Sequence, residues 1–340
     1  MASITLKPNV STLGVISKAR QRDRPAGPLP SLKGQTVVLT GGSSGFGLAT
    51  AHILPTLGVT RLILGVRSTE RGEAAAKPMR IANPTCKIEV WELDMLSYES
   101  VQAFAHRCAE LPRLDLVILN AGVTKLVFAR SPSTGHEETI QVNYLSTALL
   151  AILLVPILKT KSPANSPGRL TIVGSSQGYS SKFKERSANS LLEEFDKEWS
   201  GIPAGSERYS TSKTLVQMLV YKLSQLIPAS DVTINNFCPG FSAHTSLGRE
   251  VPKGAARILM GMMQAALGRT AEQGAWTYID AAAIKGEESH GSFVFGWEMF
   301  PFHPLMYTKE GEEVMERLWS ETVADQEAFG IRQALEAIKQ

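Results

Sequence analysis

Residues 35–47 read QTVVLTGGSSGFG. A short run of apolar and β-branched residues ends at Thr40. It passes without a spacer into Gly41-Gly42-Ser43-Ser44-Gly45-Phe46-Gly47, and a helix pattern starts at Phe46. Strand, tight turn and helix N-terminus in immediate succession are the setting that a Gly-rich phosphate turn needs. In such a turn Gly41 permits the bend, Gly45 lets backbone approach a pyrophosphate, and Gly47 lets the helix pack on the strand. The helix start adds free N–H groups and a partial positive charge. A glycine cluster alone also reads as a flexible turn, so its weight comes from what surrounds it.

Outward from this turn, strands and helices alternate. Strand patterns cover Gln35–Thr40, Arg61–Gly65, Lys87–Leu93, Leu114–Leu119, Arg169–Gly174, Asp231–Phe237 and Ser292–Phe295. They are short apolar runs, as expected for strands covered on both faces. Helix patterns cover Phe46–Leu57, Thr69–Asn83, Ser97–Glu110, Gly135–Leu158, Gly205–Ile227, Ala255–Leu267, Ala271–Ile284 and Lys309–Gln326. Alternation of this kind predicts an α/β fold with a parallel sheet between two helical layers. There is no internal repeat and no second domain. Residues 1–34 read as a leader, loop-like in its second half through Pro25, Gly27, Pro28 and Pro30; its first half is free to pack on the outside of the domain. Residues 35–330 read as the domain, with insertions near 180–205 and 241–268, and residues 331–340 as a C-terminal tail.

Composition excludes several classes. Thirty-five basic against 32 acidic residues leave a net charge of +3, too small an excess to call for nucleic acid or an anionic membrane. The three cysteines, Cys86, Cys108 and Cys238, have no metal or redox spacing, and thiols in a reducing, cytoplasmic setting are expected. His290 and His303 lack ligand spacing, so no metal is expected. The leader has no long apolar core. The most apolar run, Ala148–Leu158, holds 11 residues and a proline, so no integral membrane segment is expected.

Two further stretches carry chemistry. The second strand ends in Leu64-Gly65-Val66-Arg67-Ser68, with no carboxylate from Arg61 to Thr69. A carboxylate there would bind a ribose 2′-OH, whereas an arginine favours a 2′-phosphate. Arg67, helped by Ser43, Ser44 or Ser68, therefore points to NADP(H). Tyr209-Ser210-Thr211-Ser212-Lys213 sets Tyr and Lys four apart at the start of a helix pattern, on one face. A phenol of pKa about 10 is a poor base near neutrality. An ammonium about 4 Å away contributes roughly 4 kcal/mol at an effective dielectric near 20, enough to lower that pKa by up to about 3 units.

Together, these stretches resemble the short-chain dehydrogenase/reductase family. Thr40 with the glycines is similar to the TGxxxGxG turn of its single-domain branch, and Tyr209 with Lys213 to its YxxxK pair. The resemblance covers about residues 34–300 and implies a single-domain, Rossmann-type doubly wound sheet of about seven strands. Carried over residue by residue, it implies further roles. Asp94 in Glu92-Leu93-Asp94-Met95 would bind the adenine amino group. Asn120-Ala121-Gly122 would tie strands together and leave room for the adenosine. Asn143 would hold a water joining the lysine to solvent. Ser176, with Ser175 as runner-up, would hold the substrate oxygen beside Tyr209. Pro239-Gly240 would line the cofactor. Where family members often place a threonine five residues past that proline, this chain has His244, with Thr245 next. Phe46 stands where aliphatic residues are commoner.

The resemblance is nearest to retinol dehydrogenase-like fungal members of secondary-metabolite pathways. It implies NADP(H)-dependent interconversion of a carbonyl and an alcohol on a small molecule. In reduction Tyr209 would protonate the developing alkoxide, Ser176 would stabilise it, and Lys213 with Asn143 would relay the proton. Phe183, Trp199, Phe241, Met260, Met262, Met263 and the segment 293–302 are candidates to line a pocket for a bulky apolar substrate, or to be core. Two rival readings stay open: a cofactor-binding protein with non-redox chemistry, and a sensor without catalysis. Pairing of copies through the helices around Asn143 and Tyr209, as a homodimer or homotetramer, is open beside a monomer.

Overall fold

The computed structural model describes residues 2–8, 10–241 and 268–339. Strands β1 (Thr36–Thr40), β2 (Arg61–Val66), β3 (Lys87–Glu92), β4 (Leu116–Leu119), β5 (Gly168–Val173), β6 (Val232–Phe237), β7 (Ser292–Phe295) and β8 (Glu298–Phe300) form one sheet in the order β3-β2-β1-β4-β5-β6-β7-β8. β1 to β7 pair in parallel, and β8 returns antiparallel to β7. The seven expected strands are all present. The eighth was not expected: it has three residues, reached through the two-residue turn Gly296-Trp297. Both turn residues have positive φ, 60° and 71°, as a mirror-image hairpin turn requires. Tryptophan carries no sequence signal for that conformation.

Alternation along the strands divides the core. Val37, Leu39, Leu62, Leu64, Leu116 and Ile118 face one helical layer, while Val38, Ile63, Val117 and Leu119 face the other. The helices are α1 (Thr12–Arg20), α2 (Gly45–Thr56), α3 (Thr69–Ala82), α4 (Tyr98–Ala109), α5 (Glu138–Lys161), α6 (Leu191–Phe195), α7 (Ile202–Ser224), α8 (Ala271–Ile279), α9 (Lys309–Asp325) and α10 (Ile331–Lys339). α5 includes a π-helical stretch, Gln141–Leu145. The helix expected over Ala255–Leu267 lies outside the described residues.

One expectation changes. The C-terminal tail is helix α10, packed on α5 with Ile331, Ala334 and Ile338 buried. The apolar Ala148–Leu158 run belongs to the 24-residue helix α5, which is long and apolar enough to cross a membrane, yet 89% of its 18-residue apolar window is buried inside the protein. α4 and α10 cover it, so its apolarity is used within the chain. Of the two readings left open for Phe183, Phe293, Phe295 and Phe302, burial favours the core: all four side chains are fully buried. The leader is not detached from the domain either: Ser3 exchanges hydrogen bonds with the Phe293 backbone on β7.

The insertion 180–205 is fastened down. Glu321 of α9 accepts from the backbone N–H groups of Leu191 (3.0 Å) and Leu192 (2.9 Å), which start α6. His136, before α5, bonds Asp196 at the end of the insertion (2.7 Å) and Asp325 at the end of α9 (2.9 Å). Burial works against its charge, but these hydrogen bonds and the two carboxylates outweigh burial and raise its pKa to about 9. A raised folded-state value stabilises fully below the unfolded pKa of about 6.5 and is lost as pH climbs through about 9. His136→Asn should therefore lower stability at pH 6–7 by roughly 3 kcal/mol, with the gap closing by about pH 10. Urea unfolding at several pH values checks this; a gap independent of pH would refute it.

Phe46, at the start of α2, lies flat against α8. A Cβ built on Gly274 would sit 2.1 Å from the Phe46 ring. The aromatic residue in the turn is thus matched by a missing side chain on the neighbouring helix. Gly274→Ala should cost about 1–3 kcal/mol by overpacking, and Phe46→Leu added to it should recover most of that. Strictly additive losses in a double-mutant cycle would show that the two sites do not share this space.

Candidate active site

The sheet reverses its winding between β1 and β4, and the carboxyl ends of these strands open the crevice where α/β folds bind ligands. Most of the expected residues converge there. Thr40 does not face a ligand: its Oγ1 accepts from the backbone N–H of Asn120 (2.9 Å) and Ala121 (3.0 Å). Asn120 returns two bonds through Nδ2, to the carbonyls of Thr40 (2.8 Å) and Gly41 (3.1 Å). The strand-tying role expected of Asn120 is thus visible in its contacts.

The turn itself is a cradle that side chains would fill. Gly41 and Gly45 have φ of 69° and 57°. A Cβ on Gly47 would lie 2.5 Å from Asn120 Nδ2 and 2.6 Å from the Gly41 carbonyl. Ser44 is the N-cap of α2 yet gives no side-chain cap, whereas Ser68, Ser97, Thr270 and Thr308 cap α3, α4, α8 and α9 with their hydroxyls. The first N–H groups of α2 thus keep the capacity to bind a phosphate. Ser68 Oγ accepts from the Arg71 N–H as a cap (3.3 Å), which leaves its own O–H, like those of Ser43 and Ser44, able to donate to a phosphate. Arg67 is exposed just past β2 and makes no hydrogen bond or ion pair among the described residues. Past β3, Asp94 Oδ1 accepts from the backbone N–H of Leu96 (3.0 Å), and the Asp94 N–H donates to Ser100 Oγ (2.9 Å). The turn thereby holds this carboxylate at the strand end. These residues fit a dinucleotide.

On the other side of the crevice, Tyr209 and Lys213 sit buried on α7. Lys213 Nζ lies 5.8 Å from the centroid of the Tyr209 ring and donates to the Val173 carbonyl at the end of β5 (3.0 Å). Burial lowers the lysine pKa to about 8. Burial also pushes Tyr209 up to about 12, with a hydrogen bond from Ser175 pulling the other way. The phenol pKa is thus raised, not lowered as expected from the lysine, because burial desolvates the phenolate.

Of the serine pair, Ser175 is the one whose hydroxyl bears on the Tyr209 phenol, pulling its pKa down against burial; its Oγ also accepts from the Gln177 N–H (3.2 Å). Ser176 meets the site through its backbone N–H, which donates to Cys238 Sγ (3.2 Å). Asn143 is buried in the π-helical stretch of α5. Its amide bonds both backbone groups of Val123 (2.8 Å each) and Ser212 Oγ (3.0 Å). It fixes the loop after β4, and a Cβ on Gly122 would lie 3.2 Å from Asn143 Oδ1 and 3.7 Å from Lys213 Nζ. At the end of β6, Gly240 has φ 83° and Pro239 accepts from Arg269 (2.9 Å). His244 and Thr245 lie outside the described residues, as do Met260, Met262 and Met263.

Sequence reasoning missed three groups. Tyr278 of α8 donates to Asn120 Oδ1 (2.6 Å). Cys238 links the ends of β5 and β6 through its sulfur, and Arg269 braces Pro239. Only Cys238 carried a positional signal, standing directly before Pro239-Gly240.

Comparison with known proteins agrees with this geometry. Residues 35–188 match the short chain dehydrogenase family. The chain is 46% identical to the short chain dehydrogenase/reductase mfmJ of Annulohypoxylon moriforme, over 94% of this chain and 92% of that one. It is 38% identical to the short chain dehydrogenase virL of Hypocrea virens, over 97% and 96%. Among solved structures, it is similar to the RhlG/NADP active-site complex of Pseudomonas aeruginosa (TM-score 0.61, 22% identity, 83% and 100% covered). It is also similar to a short chain dehydrogenase of Escherichia coli complexed with NADPH (TM-score 0.57, 20% identity, 82% and 99% covered). At these identities the two structures speak for the fold alone. Relatives this similar over nine-tenths of both chains carry the assignment: this chain belongs to the short-chain dehydrogenase/reductase family and is an oxidoreductase acting on alcohol and carbonyl groups with a nicotinamide cofactor.

Proposed function

We propose that the protein uses NADPH to reduce a ketone or aldehyde on a bulky apolar small molecule, in secondary-metabolite biosynthesis. The observation that carries the reading is the buried Tyr209 phenol, held protonated beside Lys213 and Ser175 and across from the glycine cradle. Burial pushes the phenol up to about 12, so it carries its proton at neutral pH, the form a general acid for reduction must have. When bound, the cofactor supplies the hydride. Tyr209 donates its proton to the developing alkoxide. A hydroxyl of the pair Ser175 and Ser176 holds the same oxygen; Ser175 has the closer tie to the phenol, and Ser176 keeps the place the resemblance implies. Lys213, with a pKa of about 8, carries a proton at neutral pH and stands behind the tyrosine to replace the one lost. Asn143 holds the Val123 loop against that lysine.

Choice of NADP(H) over NAD(H) rests on Arg67, exposed and without an ion-pair partner among the described residues where a carboxylate would otherwise stand. The adenosine side is assigned to Asp94, Asn120, Ala121 and Gly122, the phosphates to Ser43, Ser44, Gly45 and Phe46 N–H groups, and the nicotinamide side to Pro239 and Gly240. An apolar substrate is supported by Val127 and Ile202, 72% and 41% exposed. They lie on the loop after β4 and at the start of α7, with Phe128 and Trp199 packed edge to face beside them (5.9 Å). The relatives come from fungi, which supports the biosynthetic setting.

Titration with NADPH and NADH tests this. Wild type should prefer NADPH, and Arg67→Ala should remove roughly 10- to 100-fold of that preference, the worth of charge-assisted hydrogen bonds. Tyr209→Phe should keep NADPH binding and lose about 10²- to 10⁴-fold in turnover of a carbonyl substrate. Binding of neither nucleotide by wild type would overturn the cofactor reading; turnover unaffected by Tyr209→Phe would overturn the catalytic one.

A further inference from the structure

Arg269 is fully buried, and no carboxylate pairs with it among the described residues. A buried guanidinium without a counter-charge is costly unless its N–H groups are used. Its uses are specific. Nη1 donates to the Pro239 carbonyl (2.9 Å) and Nη2 to the Gln21 carbonyl at the end of α1. The guanidinium lies 5.2 Å from the Trp297 ring centroid, and Nε is left without a partner. Gly240, at φ 83°, packs so closely that a Cβ there would meet the guanidinium at 3.1 Å. One side chain thus joins the N-terminal segment to the turn after β6.

The segment is held at further points. Trp297 Nε1 donates to the same Gln21 carbonyl (2.9 Å). Trp297 does so from a left-handed backbone, φ 71°, which a bulky side chain adopts only when its surroundings hold it there. Lys18 pairs with Glu298 of β8, and Asp23 accepts from Gln273 of α8 (3.1 Å). Arg24 stacks over Trp276 of α8 (5.4 Å). From Arg269 the connection continues inward: Gly240 N–H donates to Cys238 Sγ (3.4 Å), which also accepts from the N–H of Ser176 (3.2 Å). The path runs from residue 21 to the serine pair beside Tyr209.

We propose that Arg269 is a positioning residue, and that residues 18–24 form a strap which, through Arg269, sets the Pro239–Gly240 turn against the nicotinamide end of the cofactor. The inference rests on the cofactor reading above. Loss of the brace lets the turn relax, so the nicotinamide half loses its seat. The adenosine half, held by the glycine cradle and Arg67 on the far side of the crevice, does not.

The test compares two ligands by calorimetric titration: NADPH, and 2′,5′-ADP, which lacks the nicotinamide end. Arg269→Gln should weaken NADPH on the order of tenfold, as expected when a positioning contact is lost, and leave 2′,5′-ADP within twofold of wild type. Arg269→Lys, which keeps the charge but not the two-pronged reach, should fall between. Should Arg269→Gln fail to fold, Trp297→Phe carries the test: it keeps the ring under Arg269, removes one donor to Gln21, and should weaken NADPH about threefold on the same reasoning, again sparing 2′,5′-ADP. Equal loss of both ligands would mean a merely structural arginine, and no loss of either would mean a brace without consequence; each overturns the inference while leaving the cofactor reading intact. Failure of wild type to bind either ligand would instead overturn the cofactor reading.

Discussion

Where β1 and β4 lie side by side, the chain sends its connections to opposite faces of the sheet. The backbone groups at those two strand ends are left without ladder partners, in a crevice that must stay open to admit a ligand. Buried or half-buried polar groups of that kind need partners. Here Thr40 and Asn120 satisfy each other's strand ends through four hydrogen bonds, and Tyr278 takes the remaining acceptor on Asn120. The glycine turn depends on this knot. Asn120 Nδ2 occupies the space where a Cβ of Gly41 or Gly47 would go, so those positions are small because the asparagine fills the gap between strands. With the strand ends closed by side chains, the N–H groups at the start of α2 have no internal partner to compete for.

The two halves of the crevice solve opposite electrostatic problems. On the adenosine side the polar groups are open to water: Arg67 is exposed and Asp94 half-exposed. On the catalytic side, groups that exchange protons are buried, and burial drives both toward neutrality, the phenol up to about 12 and the ammonium down to about 8. A lysine that is an electrostatic lever on paper becomes a proton holder once it is desolvated and its Nζ donates to the Val173 carbonyl. Spacing in the sequence showed that Tyr209 and Lys213 share a helix face; which of desolvation and attraction prevails depends on the packing around them.

The same division explains what was readable. The parallel strands inside the sheet are buried on both faces and most are short apolar runs, and even β3 at the edge, with exposed Lys87 and Glu92, falls in the strand–helix alternation. β8 lies at the sheet edge, has three residues and follows a Gly-Trp turn, so neither length nor turn chemistry marks it. α10 has buried positions at Ile331, Ala334 and Ile338, a helical spacing that is there to be read, but it falls after the stretch that the resemblance covers. In the site, Asn120 and the glycines were legible because they sit at strand ends, and Tyr209 with Lys213 because four residues set them on one helix face. Ser175 and Ser176 were not separable, since adjacent residues at a strand exit differ only in which way the backbone turns. Tyr278 and Arg269 come from beyond the second insertion and reach the crevice through tertiary packing, which no local spacing encodes.

That asymmetry bears on how the fold divides its labour. The phosphate turn and the catalytic helix are recognisable from short stretches, and side chains of the neighbouring strands and helices then lock them: Asn120 the turn, the Val173 carbonyl and Asn143 the helix. The turn after β6 has little support of its own. Pro239 has no backbone N–H to give, and Gly240 has a conformation open to it only because it lacks a side chain. A turn of that kind is held from outside or not held at all. The groups that hold it are Cys238, whose sulfur ties it to the end of β5, and Arg269, whose guanidinium ties it to residue 21. Residues far from the site in sequence thus reach it where local structure is weakest, and the N-terminal segment, the part of the chain least suggestive of function in sequence, comes to lie one side chain away from the strand ends where the reaction takes place.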